Sequence, residues 1–394
     1  MSEWKAWKLG KITTKIGSGA TPTGGENAYI TEGISLIRSQ NVYDFAFSSD
    51  GLAHINEQQA NELSNVEVFQ DDILINITGE SVTRCCIVPE KILPARVNQH
   101  VAIIRPDKES ADHKFVFYFL HSIKSQLNSM AEIGCTRRAL TKTMLEDVKV
   151  LLPPLPEQRA IDSILSSFED KIDLLNRQNK TLEAIAETLF RQWFVEGAEE
   201  GWGFARVGDV VKTNASSIDK NYSTEIIRYL DTGSLTEGKI ESFQTLSMTD
   251  APSRARRLVK HNDILISTVR PNQKHYGIIR HPEKDIVVST GFCVITCEKI
   301  NPFFIYMLLT SVEMTEYLHS IAEGSTSTYP SLKPSDIENV EFKLPSIELL
   351  NAFSTYADNT WNKIECNQIQ IRTLEKMRDT LLPKLMSGEV RVKV

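Results

Sequence analysis

Two stretches of this 394-residue chain carry residue types that could run chemistry. Asp336 followed by Glu341-Phe-Lys343 resembles the carboxylate and E-x-K set with which a nuclease holds Mg²⁺ and a water. The spacing is short, however, and the matching positions earlier in the chain (Met144, Lys149, Leu151) hold no carboxylate, so a solvated strand edge is the preferred reading. Cys293 and Cys297 fall on one side of an expected strand. Without a second pair at ligand spacing they read as two small core residues rather than part of a zinc site. The histidines show no H-x-x-x-H spacing, and no G-x-x-x-x-G-K-[ST] phosphate loop is present. Gly17-Ser-Gly19 lacks the strand–turn–helix setting of a nucleotide fingerprint. Pro153-Pro154 lies between leucines, not in the Asn/Asp-Pro-Pro-aromatic motif of a methyltransferase that modifies DNA amino groups. The expectation is a chain with no catalytic residue, no metal and no cofactor of its own.

Binding chemistry is better represented. Arg38, Gln40 and Asn41, then Thr78, Ser81, Thr83 and Arg84, then Gln99, then Arg137 and Arg138 lie on expected loops of the first half. In the second half the candidates are Arg228, the run Arg254, Arg256 and Arg257, the run Arg270, Asn272 and Lys274, and Thr328 with Tyr329. Arg, Asn, Gln, Ser and Thr can hydrogen-bond base edges, while Arg and Lys neutralise phosphates, so these residues are candidate DNA contacts. The overall charge of −7 argues mildly the other way. That deficit is uneven: residues 154–204 carry −5, residues 1–153 and 205–343 carry −2 and −1, and residues 344–394 carry +1. Two near-neutral regions can each present a local basic face.

The candidates sit in a chain that repeats itself. Asp72-Ile-Leu-Ile75 returns as Asp263-Ile-Leu-Ile266, Phe115–Leu120 resembles Phe303–Leu308, and Gly134-Cys-Thr136 matches Gly324-Ser-Thr326. Lys171-Ile-Asp173 matches Lys363-Ile-Glu365, and Thr181-Leu-Glu183 matches Thr373-Leu-Glu375. A nearly constant offset of about 190 residues marks a duplication of domain-sized units, far too long a period for a solenoid. Asp72–Ile77, Val101–Arg105 and Val287–Thr296 read as strands, and Phe115–Leu127 and Pro302–Leu318 as helices. Gly79-Glu-Ser81 is set against Val269-Arg270-Pro271.

Each half ends differently, in a long 4-3 apolar pattern. The first seam is Ile161, Leu165, Phe168, Ile172, Leu175, Asn179, Leu182, Ala186, Leu189 and Trp193. The second includes Phe353, Ile364, Asn367, Ile371, Leu374, Leu381 and Leu385. This is the coiled-coil pattern, with one Asn near the middle of each seam. Antiparallel pairing would bring Asn179 to Asn367. Gly197 and Gly201 should end the first helix, and Pro383 should end or kink the second near Leu382. The expected fold is α+β: residues 1–153 and 197–343 form two α/β heads, followed by helical regions 154–196 and 344–394. The helices pair antiparallel as a pseudo-twofold dumbbell. No apolar run approaches a membrane span, the N-terminal residues show no apolar leader, and the cysteines form no disulfide framework, so a cytoplasmic protein with reduced thiols is expected.

Over essentially its whole length the chain resembles the specificity subunit of Type I restriction–modification enzymes. The matching residues are Ile16-Gly-Ser-Gly-Ala-Thr-Pro22, Asp72–Gly79 leading to Ile87-Val-Pro89, Leu152-Pro-Pro-Leu-Pro-Glu-Gln158, Leu182-Glu-Ala-Ile185 with Phe190-Arg-Gln-Trp-Phe194, and Leu381-Leu-Pro-Lys-Leu-Met-Ser-Gly388. The resemblance implies two target recognition domains, each reading one half of a split, asymmetric target in double-stranded DNA. It implies helices that act as spacer and docking site for two copies of a DNA methyltransferase subunit, with a motor-nuclease subunit joining. S-adenosylmethionine, ATP and Mg²⁺ are then expected in those partners. A scaffold that recruits methyltransferase subunits without reading sequence is the alternative.

Overall fold

The computed structural model describes residues 4–132, 138–219, 222–324 and 330–393. The chain divides into two compact units, Met1–Leu175 with Gln370–Val394, and Asn176–Ile369. Both divisions fall within long helices, Leu155–Phe190 and Ile347–Met386, so each unit holds one head and a portion of each helix.

Ten strands run through the first head: β1 (Lys5–Lys8), β2 (Thr13–Ser18), β3 (Ile34–Ile37), β4 (Ala53–Ile55), β5 (Glu67–Val68), β6 (Ile73–Asn76), β7 (Cys85–Ile87), β8 (Ala95–Val97), β9 (Val101–Pro106) and β10 (Lys149–Leu152). The second head follows with β11 (Phe204–Arg206), β12 (Val211–Thr213), β13 (Ile226–Leu230), β14 (Leu235–Thr236), β15 (Lys239–Ile240), β16 (Gln244–Ser247), β17 (Ala255–Leu258), β18 (Ile264–Ser267), β19 (Tyr276–Ile278), β20 (Ile286–Ser289), β21 (Phe292–Cys297) and β22 (Glu341–Lys343). Sheet orders β2-β9-β6-β7 and β4-β3-β8-β5 in the first head recur as β12-β21-β18-β19 and β16-β13-β20-β17 in the second. The β3·β8 and β13·β20 contacts are both parallel. The duplication is therefore a duplication of topology, and the β14–β15 hairpin of the second copy has its counterpart in the single Val42–Phe47 bridge of the first.

The repeated Asp-Ile-Leu-Ile has a local cause. Asp72 Oδ2 accepts from the Phe69 amide and Asp263 Oδ2 from the Lys260 amide, each at 2.7 Å, closing the turn before β6 or β18. The preceding residue is left-handed in both, Asp71 at φ 71° and Asn262 at φ 67°. Asx side chains tolerate that conformation and stabilise such turns. The three apolar residues that follow bury on both faces of the central strand.

Several elements differ from the sequence expectation. Phe115–Leu127 lies across two helices, His113–Ser122 and Lys124–Glu132, and Pro302–Leu318 across Pro302–Thr310 and Val312–Glu323. In the second head Ser311 makes the break by capping the following helix, its Oγ accepting from the Met314 amide at 3.2 Å. Val287–Thr296 is two strands, β20 and β21, with Thr290-Gly291 between them. Pro383 lies inside its helix, which ends at Met386. The absent proline donor is needed only in the last turn, and Leu382, Leu385 and Met386 bury in the first head's core, which offsets the loss. Gly388, at φ 74°, follows the helix end. The first helix runs on past Phe190 as a π-helical turn, Arg191–Glu196, and stops at Gly197.

The helices pair antiparallel within each unit. In the first, Ile161 and Leu165 share a core with Leu382 and Leu385. Ile172 and Leu175 are also buried, while Phe168, Ile371, Leu374 and Leu381 are half-buried. In the second, Ala186 and Phe190 share a core with Phe353, Ala357 and Trp361, and Leu182 and Leu189 are half-buried. Beside buried Ile364, Asn367 donates Nδ2–H to Asn179 Oδ1 at 2.8 Å. A polar pair within an apolar seam favours one register over its neighbours, at some cost in stability.

The Pro-Glu-Gln helix entry joins head to helix. Gln158 is fully buried. Its Oε1 accepts from the Asp112 amide at 2.8 Å, and its Nε2 donates to the carbonyls of Pro153 at 2.8 Å and Ser110 at 3.3 Å. Glu157 accepts from Arg391 Nη2 at 2.8 Å and from the Trp4 indole at 3.3 Å, and the Arg391 guanidinium lies 5.2 Å from the Trp4 ring centroid. The two ends of the described chain thus meet on one buried carboxylate. Gln158→Ala leaves one amide and two carbonyls without their partner, and we expect a loss of about 3 kcal/mol, read by chemical denaturation of the first unit's transition.

Candidate nucleic-acid interface

In the first head four segments meet beyond the end of β6. Asn76, fully buried at the last position of β6, donates to the Ser39 carbonyl at 2.9 Å and to Ser81 Oγ at 3.1 Å, tying the β3–β4 loop to the β6–β7 loop. The Ile77 amide bonds the His100 carbonyl at 2.9 Å, and Thr78 Oγ1 lies 2.6 Å from His100 Nδ1, which adds the β8–β9 turn. The Gly79 amide bonds the Arg138 carbonyl at 3.2 Å, and the Leu140 amide bonds the Ile77 carbonyl at 2.8 Å, which adds the segment at 138–140.

Most predicted residues of this head sit on those segments. Arg84 lies over the Tyr43 ring, 4.9 Å from its centroid, and Arg38 over Tyr29 at 5.3 Å. Arg38 Nη2 and Gln40 Nε2 both donate to the Gly51 carbonyl, at 2.7 and 3.2 Å. Gln99 is exposed and accepts from the Thr21 hydroxyl, and Arg138 pairs with Glu132. Two residues differ from the surface placement expected of them. Asn41 is fully buried, its amide donating to the Ser48 and Asp50 carbonyls at 3.0 and 3.2 Å. Thr83 is buried, its hydroxyl donating to Asn128 Oδ1 at 3.0 Å. Both shape the loops from inside.

The second head builds the matching place from matching backbone. The Ser267 amide bonds the His275 carbonyl at 2.8 Å, just as the Asn76 amide bonds the Arg84 carbonyl at 2.8 Å. The Thr268 amide reaches Gly291, the Arg270 amide reaches Pro330, and the Leu332 amide returns to Thr268. The left-handed positions correspond one to one: Gly79 (φ 77°) to Arg270 (φ 49°), and Thr83 (φ 71°) to Lys274 (φ 55°). This shifts the sequence correspondence by one residue, setting Gly79 against Arg270 rather than Val269, because loop register follows backbone conformation and not the best match of residue types.

Arg270 and Asn272 are exposed here, and Lys274 Nζ pairs with Glu237 at 2.9 Å. Arg254 and Arg256 are exposed around β17, whose Arg257 donates to Ser217 Oγ at 3.2 Å. The Arg254 carbonyl accepts from the Thr290 amide, which brings β17 to the same cluster. Arg228 lies elsewhere in role. Its guanidinium makes a bidentate pair with Asp285 at 2.7 and 2.8 Å and a third contact with Glu283 at 3.1 Å. Those hydrogen bonds raise the Arg228 pKa and lower that of Asp285. Arg137, Thr328 and Tyr329 lie outside the described residues.

The residues considered for catalysis serve local structure. Asp336 Oδ2 accepts from the Lys333 amide at 2.7 Å in a helix cap, and Glu341 pairs with Arg206 at 3.4 Å. Burial pushes the thiols of Cys293 and Cys297 up to about 12, so both stay protonated where they pack. Among the described residues no group of three or more His, Cys, Asp or Glu is placed to hold a metal ion.

Sequence reasoning missed the rings beneath the arginines, Tyr29 and Tyr43. It also missed the support behind them. Val42 and Phe47 bridge to form a small hairpin whose tip residue, Phe45, is left-handed at φ 60° and stacks on His121 at 3.7 Å. The His121 imidazole hydrogen-bonds the Cys85 carbonyl at 3.1 Å. Burial is the main cause that pushes its pKa down, to about 4.

Residues 1–184 match the family model described as Type I restriction modification DNA specificity domain. The chain is 27% identical over 418 residues to the Type I restriction enzyme MjaIX specificity subunit of Methanocaldococcus jannaschii, spanning 98% of this chain and 94% of that one. It is 28% identical over 182 residues to the HindI specificity subunit of Haemophilus influenzae, spanning 46% of this chain and 39% of that one. Among solved structures, a Type-I restriction-modification system S subunit from M. genitalium covers 97% of this chain and 96% of its own, with a TM-score of 0.57 at 13% identity, a likeness of fold.

His121 supplies a pH test of this end of the head. Neutral in the fold and titrating near 6.5 when unfolded, it favours the unfolded state as pH falls from about 6.5 towards 4 and adds nothing further below that. We expect the wild type to lose about 2 kcal/mol between pH 7 and pH 4.5 relative to His121→Gln, measured by denaturation at those two pH values.

Proposed function

We propose that this chain is a specificity subunit of a Type I restriction–modification enzyme and reads DNA through the loop clusters at the ends of β6 and β18. The observation that carries this reading is the recurrence of one backbone constellation in both heads. The same three segments meet through matching backbone bonds, the same two positions are left-handed, and the side chains presented differ. Constant backbone with changed Arg, Lys, Asn, Gln and Thr is what two readers of different sequences require. Each head then takes one half of a bipartite target, and because the heads differ the target is asymmetric.

The paired helices act as spacer and as docking site for two methyltransferase subunits, with a motor-nuclease subunit joining for cleavage. S-adenosylmethionine, ATP and Mg²⁺ belong to those partners. Supporting this division of labour, the carboxylates and thiols of this chain that resemble catalytic sets are engaged in caps, ion pairs and core packing. Because many loop cations already pair with carboxylates, the chain alone binds DNA weakly and in a salt-sensitive manner, and its partners supply much of the phosphate contact.

Methylome sequencing of cells expressing this chain with its methyltransferase subunit tests the reading. A bipartite asymmetric motif is expected, and a symmetric motif or none would overturn it. Arg270 adds a sharper test, since a non-glycine residue there is held in the left-handed region where the first head has Gly79. Arg270→Gly should raise stability by about 1 kcal/mol by relieving the backbone, while weakening binding to the methylated motif about tenfold. Calorimetry and fluorescence anisotropy of the assembled complex separate the two effects, and unchanged binding removes Arg270 from the interface.

A further inference from the structure

The tip of the Val42–Phe47 hairpin reaches a long helix. The Phe45 ring stacks on His121 at 3.7 Å, meets Phe117 edge-on at 5.6 Å, and carries the Arg378 guanidinium 4.1 Å from its centroid. Arg378 belongs to the second long helix, and its Nη1 donates at 2.7 Å to Glu169 of the first. One cation therefore bridges the helix pair and holds the hairpin. The hairpin is pinned at other points: the Phe45 amide bonds the Cys85 carbonyl at 3.1 Å, which also takes His121 Nε2, and Asp44 pairs with Lys124.

Two residues before Phe45, Tyr43 supports Arg84, and Arg84 immediately precedes Cys85. Both sides of the Tyr43–Arg84 stack are thus fixed to the Phe45–His121–Arg378 stack by covalent neighbours and by one shared carbonyl. Phe45 itself is a non-glycine residue at positive φ, a conformation that costs free energy and that these contacts maintain.

We infer that Phe45 and Arg378 are positioning residues for DNA reading by the first head, holding Arg84 and Tyr43 in register by anchoring the hairpin to the helix pair. The inference rests on the proposed reading function and deepens it: specificity of the first half-site depends on a residue of the second long helix, remote in sequence from that head. Arg378 touches no base. It acts through Phe45, as a guanidinium over a ring gains about 1 kcal/mol where partly desolvated, or about fivefold in an equilibrium.

The test uses the full chain assembled with methyltransferase subunits, comparing methylomes of Arg378→Ala, Arg378→Lys, Phe45→Leu and Arg84→Ala. The expected result is that Arg378→Ala, Phe45→Leu and Arg84→Ala each raise methylation at sites with a wrong base in one same half of the motif, about fivefold for Arg378→Ala, leaving the other half strict. Arg378→Lys, which restores a cation over the ring, should restore fidelity. A merely structural role would lower methylation at all sites without changing which bases are accepted, and that outcome overturns the inference. If Arg84→Ala relaxes one half and the Arg378 and Phe45 variants do not, the anchoring fails and the reading stands. If Arg84→Ala itself leaves the motif unchanged, the first head's reading by this face fails, and the anchoring with it. Should Arg378→Ala not assemble, Arg378→Met keeps an apolar stem over the ring without the charge, and is scored by the same criteria.

Discussion

Neither head completes its hydrophobic core without a helix segment from a distant part of the chain. The first head closes over Ile161 and Leu165 together with Leu382, Leu385 and Met386, and the second over Ala186 and Phe190 together with Phe353, Ala357 and Trp361. Cut away from these residues, each head would expose a broad apolar face to water, which no domain of this size can do at low cost. Antiparallel pairing follows from this need as much as from the seam: each head requires the N-terminal part of one helix and the C-terminal part of the other. The buried Asn179–Asn367 bond then favours one register among those an apolar seam would tolerate.

The same dependence explains the motifs at the helix ends. The Pro-Glu-Gln entry is more than a helix start. Gln158 bonds the backbone before the Asp112-capped helix, and Glu157 gathers Trp4 and Arg391 from opposite ends of the chain. The Leu-Leu-Pro-Lys-Leu-Met-Ser-Gly ending keeps its proline within the helix because the leucines around it are core residues of the first head. Where the second half lacks the Gln, Asn301 caps its own helix and donates to Ser354 Oγ at 2.6 Å, linking head and helix by a different polar contact.

Features governed by periodicity are legible in the amino-acid sequence. The duplication, the central strands after Asp72 and Asp263, and the seam positions from Ile161 to Leu189 and from Ile364 to Leu381 follow from spacing alone, because burial imposes a period. Features governed by a single backbone dihedral are not legible there. The one-residue slip that sets Gly79 against Arg270, the breaks at Ile123 and Ser311, and the turn at Thr290-Gly291 leave no periodic trace. For the candidate site the residue types are legible and their roles are not. Asn41 and Thr83 look like base readers in sequence and are loop supports in the fold, whereas Tyr43, which underlies Arg84, and Phe45, which underlies Arg378, give no signal of either role.

Charge is where this arrangement matters most. The loop cations of both heads are largely held: Lys274 by Glu237, Arg138 by Glu132, Arg228 by Asp285 and Glu283, and Arg38 and Arg84 against tyrosine rings. A cation already oriented by a carboxylate or a ring loses less conformational freedom on meeting a base or phosphate, while the displaced carboxylate lowers the net gain in affinity. Such a surface trades non-specific attraction for discrimination, since a site that offers the wrong hydrogen bonds does not repay displacement of the internal partner. A chain with a net charge of −7 is therefore compatible with sequence reading, provided that bulk attraction to the phosphate backbone comes from the subunits it assembles with.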